Sequence, residues 1–203
     1  MQIRDLDRPP VVLIAGIAGA AALLVALSLR RPEPSTYAPT IAAPVEVGLA
    51  RIGPAEYTID ASAADEWRYF DFSRNAVVED PGPMGWDLAF RRFHIIANGG
   101  IGFAGSGGIA DLGEIPFDSV RTLPASGYRP NIVRSDTTNP GIGKWYDYAF
   151  TSHLLTPEPR TYAVRTADGR YAKFAILSYY CTGARPGCIT IRYAYRGDGG
   201  REF

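Results

Sequence analysis

Hydrophobic and polar positions divide the chain into three unequal parts. From Val11 to Leu29 the sequence VVLIAGIAGAAALLVALSL runs 19 residues without a charge. As a helix rising 1.5 Å per residue it would extend about 28 Å, near the hydrocarbon thickness of a bilayer. Pro9 and Pro10 precede this run, and Arg30 with Arg31 end it. The pattern predicts a single transmembrane helix over 11–29 behind a short cytoplasmic tail, 1–10. A cleaved secretory signal is the alternative, with ALS at 26–28 as its cleavage site, but the run is longer than the roughly 7–15 residues of a signal core. No cysteine follows it directly, so an acylated anchor is excluded.

Residues 30–56 hold Pro32, Pro34, Pro39, Pro44 and Pro54 among small residues. This composition predicts an extended, polyproline-like tether. From Tyr57 to the C-terminus the pattern turns to strands. EWRYFDFS (66–73) places Trp67, Tyr69, Phe70 and Phe72 close together, and the loop PGPMG (81–85) leads into WDLAFRRFHIIA. EIPFDSVRTLP predicts a short turn or strand, and 125–143 an irregular connection rich in turn-forming residues. The last third is the clearest. TYAVRTADGRYAKFAILSYY holds two strand runs around Asp168-Gly169, a short hairpin signal, and CITIRYAY (188–195) alternates as a third strand. No long amphipathic helix follows the apolar run, so the domain over 57–203 is expected to be mostly β, ending in an antiparallel meander.

Charge and chemistry narrow the function by exclusion. Lys and Arg balance Asp and Glu at 21 each, without the basic excess that nucleic-acid phosphates require. ANGGIGFAGSGG (97–108) contains a literal G-x-G-x-x-G at Gly100, Gly102 and Gly105. A dinucleotide fingerprint needs a helix N-terminus directly after its glycines, and GSGGIADLGEIPF cannot supply one. No Gly-Lys-Ser/Thr and no G-x-S-x-G is present, so nucleotide-binding and nucleophile-elbow chemistry have no motif. Only two histidines, His94 and His153, are available, and the acidic residues are scattered. The expectation is a protein that is not an enzyme and has no resident cofactor.

Positive residues flank the apolar run on both sides, Arg4 and Arg8 before and Arg30 and Arg31 after, so the positive-inside rule gives a tie. Cys181 and Cys188 break it. They flank TGARPG between two strand runs, where a disulfide would form in an oxidising compartment; two separate buried thiols are the alternative. The expected localisation is therefore a bacterial inner membrane, with the domain on the periplasmic side.

YFDFS (69–73), WDLAFRRFHIIANGG (86–100), YAVRTADGRYAKFAILSYY (162–180) and GCITIRYAY together resemble the HmuY-like family over roughly 55–196. The resemblance implies a mostly β, sandwich-like domain, and its founding type binds haem between two imidazoles. Carried to this sequence, haem ligands would have to come from His94, His153 or the soft donor Met84. The apolar helix also carries Ala15, Gly16, Gly19 and Ala20 at small-xxx-small spacing, which lets another helix approach closely. Two functions are thus expected. The first is an accessory subunit of a bacterial membrane complex, such as a photosynthetic reaction centre with antenna, contacting other integral subunits, periplasmic neighbours and lipid. The second is a membrane-tethered haem-binding protein.

Overall fold

The computed structural model describes residues 11–29, 32–46 and 51–203, apart from the Ser28 side chain. The expected cytoplasmic tail 1–10 lies outside them. Helix α1 covers Val11–Leu29. Every side chain described along it is exposed, and a Cβ on Gly16 or Gly19 would meet nothing. Among the described residues no helix is long and apolar enough to cross a membrane.

Among the described residues fourteen strands follow α1. The larger sheet runs in the order β2 (Arg51–Asp60), β14 (Arg185–Arg196), β13 (Tyr171–Cys181), β12 (Thr161–Arg165) and β7 (Gly108–Asp111), with β1 (Thr36–Tyr37) attached to β13. The smaller runs β4 (Ala76–Val78), β3 (Arg68–Asp71), β5 (Leu88–Arg91) and β6 (His94–Ala97). Period-two alternation turns one face of each sheet inward. Ile189, Ile191, Tyr193 and Tyr195 on β14 meet Phe70, Leu88 and Phe90 from the smaller sheet and Phe72 just past β3, all at most 1% exposed. Phe70 packs edge-on to Tyr193 with ring centroids 5.4 Å apart, and Tyr57 meets Phe70 at 5.1 Å. Each such aromatic contributes about 1.5–3 kcal/mol by leaving water. The result is a two-sheet sandwich.

The C-terminal meander forms as its pattern predicts. β12, β13 and β14 pair antiparallel in sequence order, with Gly169 at φ +87° in the first turn, a conformation open to glycine at little cost. Cys181 and Cys188 are joined in a disulfide. The EIPF stretch forms a 3-10 turn, Phe117–Ser119.

The segment expected as a tether differs from that reading at both ends. Thr36 and Tyr37 pair in parallel with Tyr180 and Cys181. Arg51–Glu56 already belongs to β2, pairing back to Arg196. Pro54 is tolerated because β2 is the sheet's edge and its pairing with β14 is irregular between Tyr193 and Tyr195.

Candidate ligand cleft

Arg91 and His94 face each other across the hairpin that joins β5 to β6 through a two-residue turn, Arg92–Phe93. Arg92 sits at φ +53°, held there because its amide donates to the Ala61 carbonyl at 2.7 Å and its guanidinium to the Ser62 carbonyl at 3.0 Å. The Arg91 guanidinium lies 4.5 Å over the Trp67 ring and donates to both oxygens of Asp136 at 2.9 and 2.7 Å. The Thr137 amide and this guanidinium hold the Asp136 carboxyl below its usual range.

His94 is half-buried at the floor of a cavity of about 160 Å³, lined also by Phe93, Thr137, Thr138, Asn139, Ile142 and Tyr146. Burial lowers the imidazole below its ordinary pKa; Asp136 opposes that shift and Arg91 adds to it. The shift favours the neutral ring, which carries a nitrogen lone pair, and the ring lies tilted against Phe93 with centroids 4.4 Å apart.

Two short hairpins rise beside this floor. The first is β8 (Ile132–Val133) with β9 (Thr137–Thr138); the second is β10 (Tyr146–Ala149) with β11 (Leu154–Pro157). Buried amides hold the first in place. Asn131 exchanges hydrogen bonds with the Ala97 backbone, and Asn139 donates to the Arg129 carbonyl and to Asn131 Oδ1. The second is fixed from beneath, where Trp145 Nε1 donates to the Phe93 carbonyl at 2.9 Å and the Leu155 amide donates to Tyr180 Oη at 2.8 Å. His153 closes its loop at φ +56°, its amide donating to the Ala149 carbonyl at 2.7 Å. Its Nδ1 is hydrogen-bonded to the Tyr148 hydroxyl, which leaves Nε2 without a hydrogen-bond partner among the described residues.

The two hairpins and the turn beside them carry an unusual share of the exposed apolar side chains described in the domain. Phe93, Ile132, Val133, Tyr148 and Phe150 are exposed, the last at 80%. Sequence reasoning singled out both imidazoles and missed these walls. Short hairpins have too few residues to show an alternation.

Met84 lies elsewhere. It lines a different cavity of about 130 Å³ with Asp71, Arg74, Asp87, Asp168 and Tyr195. Asp87 there is a residue the sequence reading did not single out, although a carboxylate directly before the buried run LAF was a signal. Its oxygens accept the Phe72 amide at 3.0 Å and the Ala167 amide at 2.9 Å. Burial pushes its carboxyl up to about 7, and Asp71 adds to the shift.

The glycine stretch is packed by its own chain. Gly105 and Gly107 lie against Asn98, where a Cβ would approach the Asn98 carbonyl oxygen to 2.4 and 2.6 Å. The Asn98 side chain accepts from the Gly105 amide and donates to the Pro83 and Trp86 carbonyls. The loop leads into β7 and not into a helix.

The HmuY protein family model matches residues 63–193. Solved structures share the fold, three of them as follows. An HmuY-like candidate heme binding protein from Bacteroides vulgatus is 22% identical, with 73% of this chain and 97% of that one covered and a TM-score of 0.56. The apo HmuY analog of Tannerella forsythia is 19% identical, covering 72% and 96%, at 0.55. Apo PinO from Porphyromonas gingivitis is 18% identical, covering 70% and 96%, also at 0.55. No curated protein matches the sequence. With the family model covering more than half of its residues, this chain belongs to the HmuY family.

Proposed function

We propose that this protein is a non-catalytic, membrane-anchored haem-binding protein, taking its ligand between the β8–β9 and β10–β11 hairpins. The observation that carries the proposal is His94: a neutral imidazole on the floor of a cleft whose flanking hairpins expose apolar side chains and a second imidazole. The donor set fits haem in chemistry. His94 and Nε2 of His153 are nitrogen ligands suited to its iron, and Phe93, Val133, Tyr148 and Phe150 offer apolar faces to a flat ring. The 160 Å³ floor is small, so most of the macrocycle would rest on the open hairpins. When bound, haem would supply an iron centre that imidazole nitrogens can ligate. The chain's own residues orient it, exclude water from one face and keep His94 unprotonated. The Bacteroides vulgatus relative, an HmuY-like candidate heme binding protein, supports the same reading. Met84, in its separate acidic cavity, has no part in it.

Helix α1 supports the anchor. Ten large apolar side chains, 54–83% exposed, project around it with no partner in the described chain. A helix that is apolar all round belongs in lipid or among other helices. The disulfide supports an oxidising compartment, hence the periplasmic side. The alternative, an accessory subunit of a membrane complex such as a photosynthetic one, draws on the small residues Ala15, Gly16, Gly19 and Ala20 alone, and the relatives lend it nothing.

The test is titration of the detergent-solubilised full chain with haemin. Wild type is expected to give a saturable Soret band, and His94→Ala to weaken binding by at least about 100-fold, the upper end of what outer-shell partners alone cost. Equal affinity in the variant would overturn the reading.

A further inference from the structure

Residues 35–45 make attachments along the domain that a free spacer would lack. Ser178 Oγ donates to the Ser35 carbonyl. Thr36 and Tyr37 then extend the large sheet beside Tyr180 and Cys181, past the point where β12 stops pairing at Ala175. The Thr40 amide donates to the Thr58 carbonyl at 2.9 Å, and the Thr58 amide returns a bond of 2.9 Å to Thr40 Oγ1. The Val45 amide donates to the Arg74 carbonyl at 3.0 Å. Pro39 and Pro44, which have no amide to satisfy, fall between these contacts and keep the segment extended.

We infer that residues 35–45 are a docking strap that holds the domain against the surface of the membrane crossed by α1, so that its partners are those lying at or in that membrane. The inference rests on the proposed anchor and does not depend on the identity of the ligand. Six residue steps lead from Leu29 to Ser35, a reach of at most about 20–22 Å. Were the strap free up to Arg51, the 22 residue steps from Leu29 would reach about 73–79 Å. The cleft shares this restriction. Tyr180 pairs with the strap through its backbone and holds Leu155 of the β10–β11 hairpin through its hydroxyl. A ligand would therefore enter or leave the cleft close to the bilayer.

The strap is tested by loosening it without touching the domain, with Thr36→Pro and Thr40→Pro together. The full chain is reconstituted in phosphatidylcholine vesicles with acceptor-labelled headgroups and a donor dye at the C-terminus. Energy transfer is expected to be strong in wild type and about twofold lower in the variant, since only the released tether can wander. Chymotrypsin should cut after Tyr37 readily in the variant and slowly in wild type. Equal transfer, or equal cleavage, overturns the strap. A chain that fails to float with the vesicles overturns both the anchor and the membrane-surface inference. Haemin titration of the same two proteins reads the cleft separately, and unchanged affinity in the variant is expected.

Discussion

The Asp87 carboxylate accepts the Ala167 amide at 2.9 Å across 80 positions of sequence, and so ties the strand region before β5 to the turn between β12 and β13. With the Phe72 amide on its other oxygen, one buried side chain joins three segments of the sandwich. Its carboxyl is raised to about 7, against about 3.9 unfolded. The native state therefore holds this proton longer than the unfolded chain does. Its contribution is fully present below pH 4, falls as pH rises toward 7 and is flat above. The fall amounts to about 4 kcal/mol, at 1.36 kcal/mol per pH unit. Urea unfolding at pH 5 and pH 8 should show about 2.7 kcal/mol of that fall in wild type, the part that lies between pH 5 and pH 7. Asp87→Asn should lack it, although one of the two amides then faces a donor.

Lys173 is 4% exposed, with its ammonium donating to the Phe117 and Val120 carbonyls at 2.9 and 2.7 Å beneath the Phe117 ring. Lys173→Met keeps the volume and strands both carbonyls. Chemical denaturation should show a loss of about 1–3 kcal/mol for each carbonyl that finds no water, and the 3-10 turn should exchange its amides faster.

The Cys181–Cys188 bond closes a loop of sequence separation 7. Loop-closure entropy for so short a ring gives about 2.5 kcal/mol. Cys181→Ser with Cys188→Ser should lower the denaturation midpoint accordingly, and thiol counting on the unfolded wild type should find no free cysteine.

The glycines at 102 and 105 should separate sharply. Gly102 has φ +88° and open space, so Gly102→Ala costs about 1 kcal/mol of backbone strain. Gly105→Ala drives a Cβ into the Asn98 carbonyl and the Ala167 side chain, and should cost at least about 2–3 kcal/mol in melting experiments. Equal effects would mean that the loop is not packed as described.

The meander was legible because Asp168-Gly169 marks its turn and Ile189, Ile191, Tyr193 and Tyr195 alternate without a break. The start of β2 was not, since Gly53 and Pro54 carry a loop signature that an edge strand with irregular pairing absorbs. Nor was the strap: two residues of backbone pairing at Thr36 and Tyr37 leave no side-chain period to find. In the cleft, His94 and His153 stood out as the chain's two imidazoles. Their surroundings depend on Asn131, Asn139 and Trp145 folding distant hairpins over β6, a relationship that no local pattern encodes.

The most direct measurement is the spin state of ferric haem bound to the full-length chain at pH 7, read by electron paramagnetic resonance. Two imidazole ligands, His94 and His153, predict a low-spin signal that becomes high-spin in either single alanine variant. A low-spin signal that survives in both variants, or a high-spin signal in wild type, would contradict this ligation.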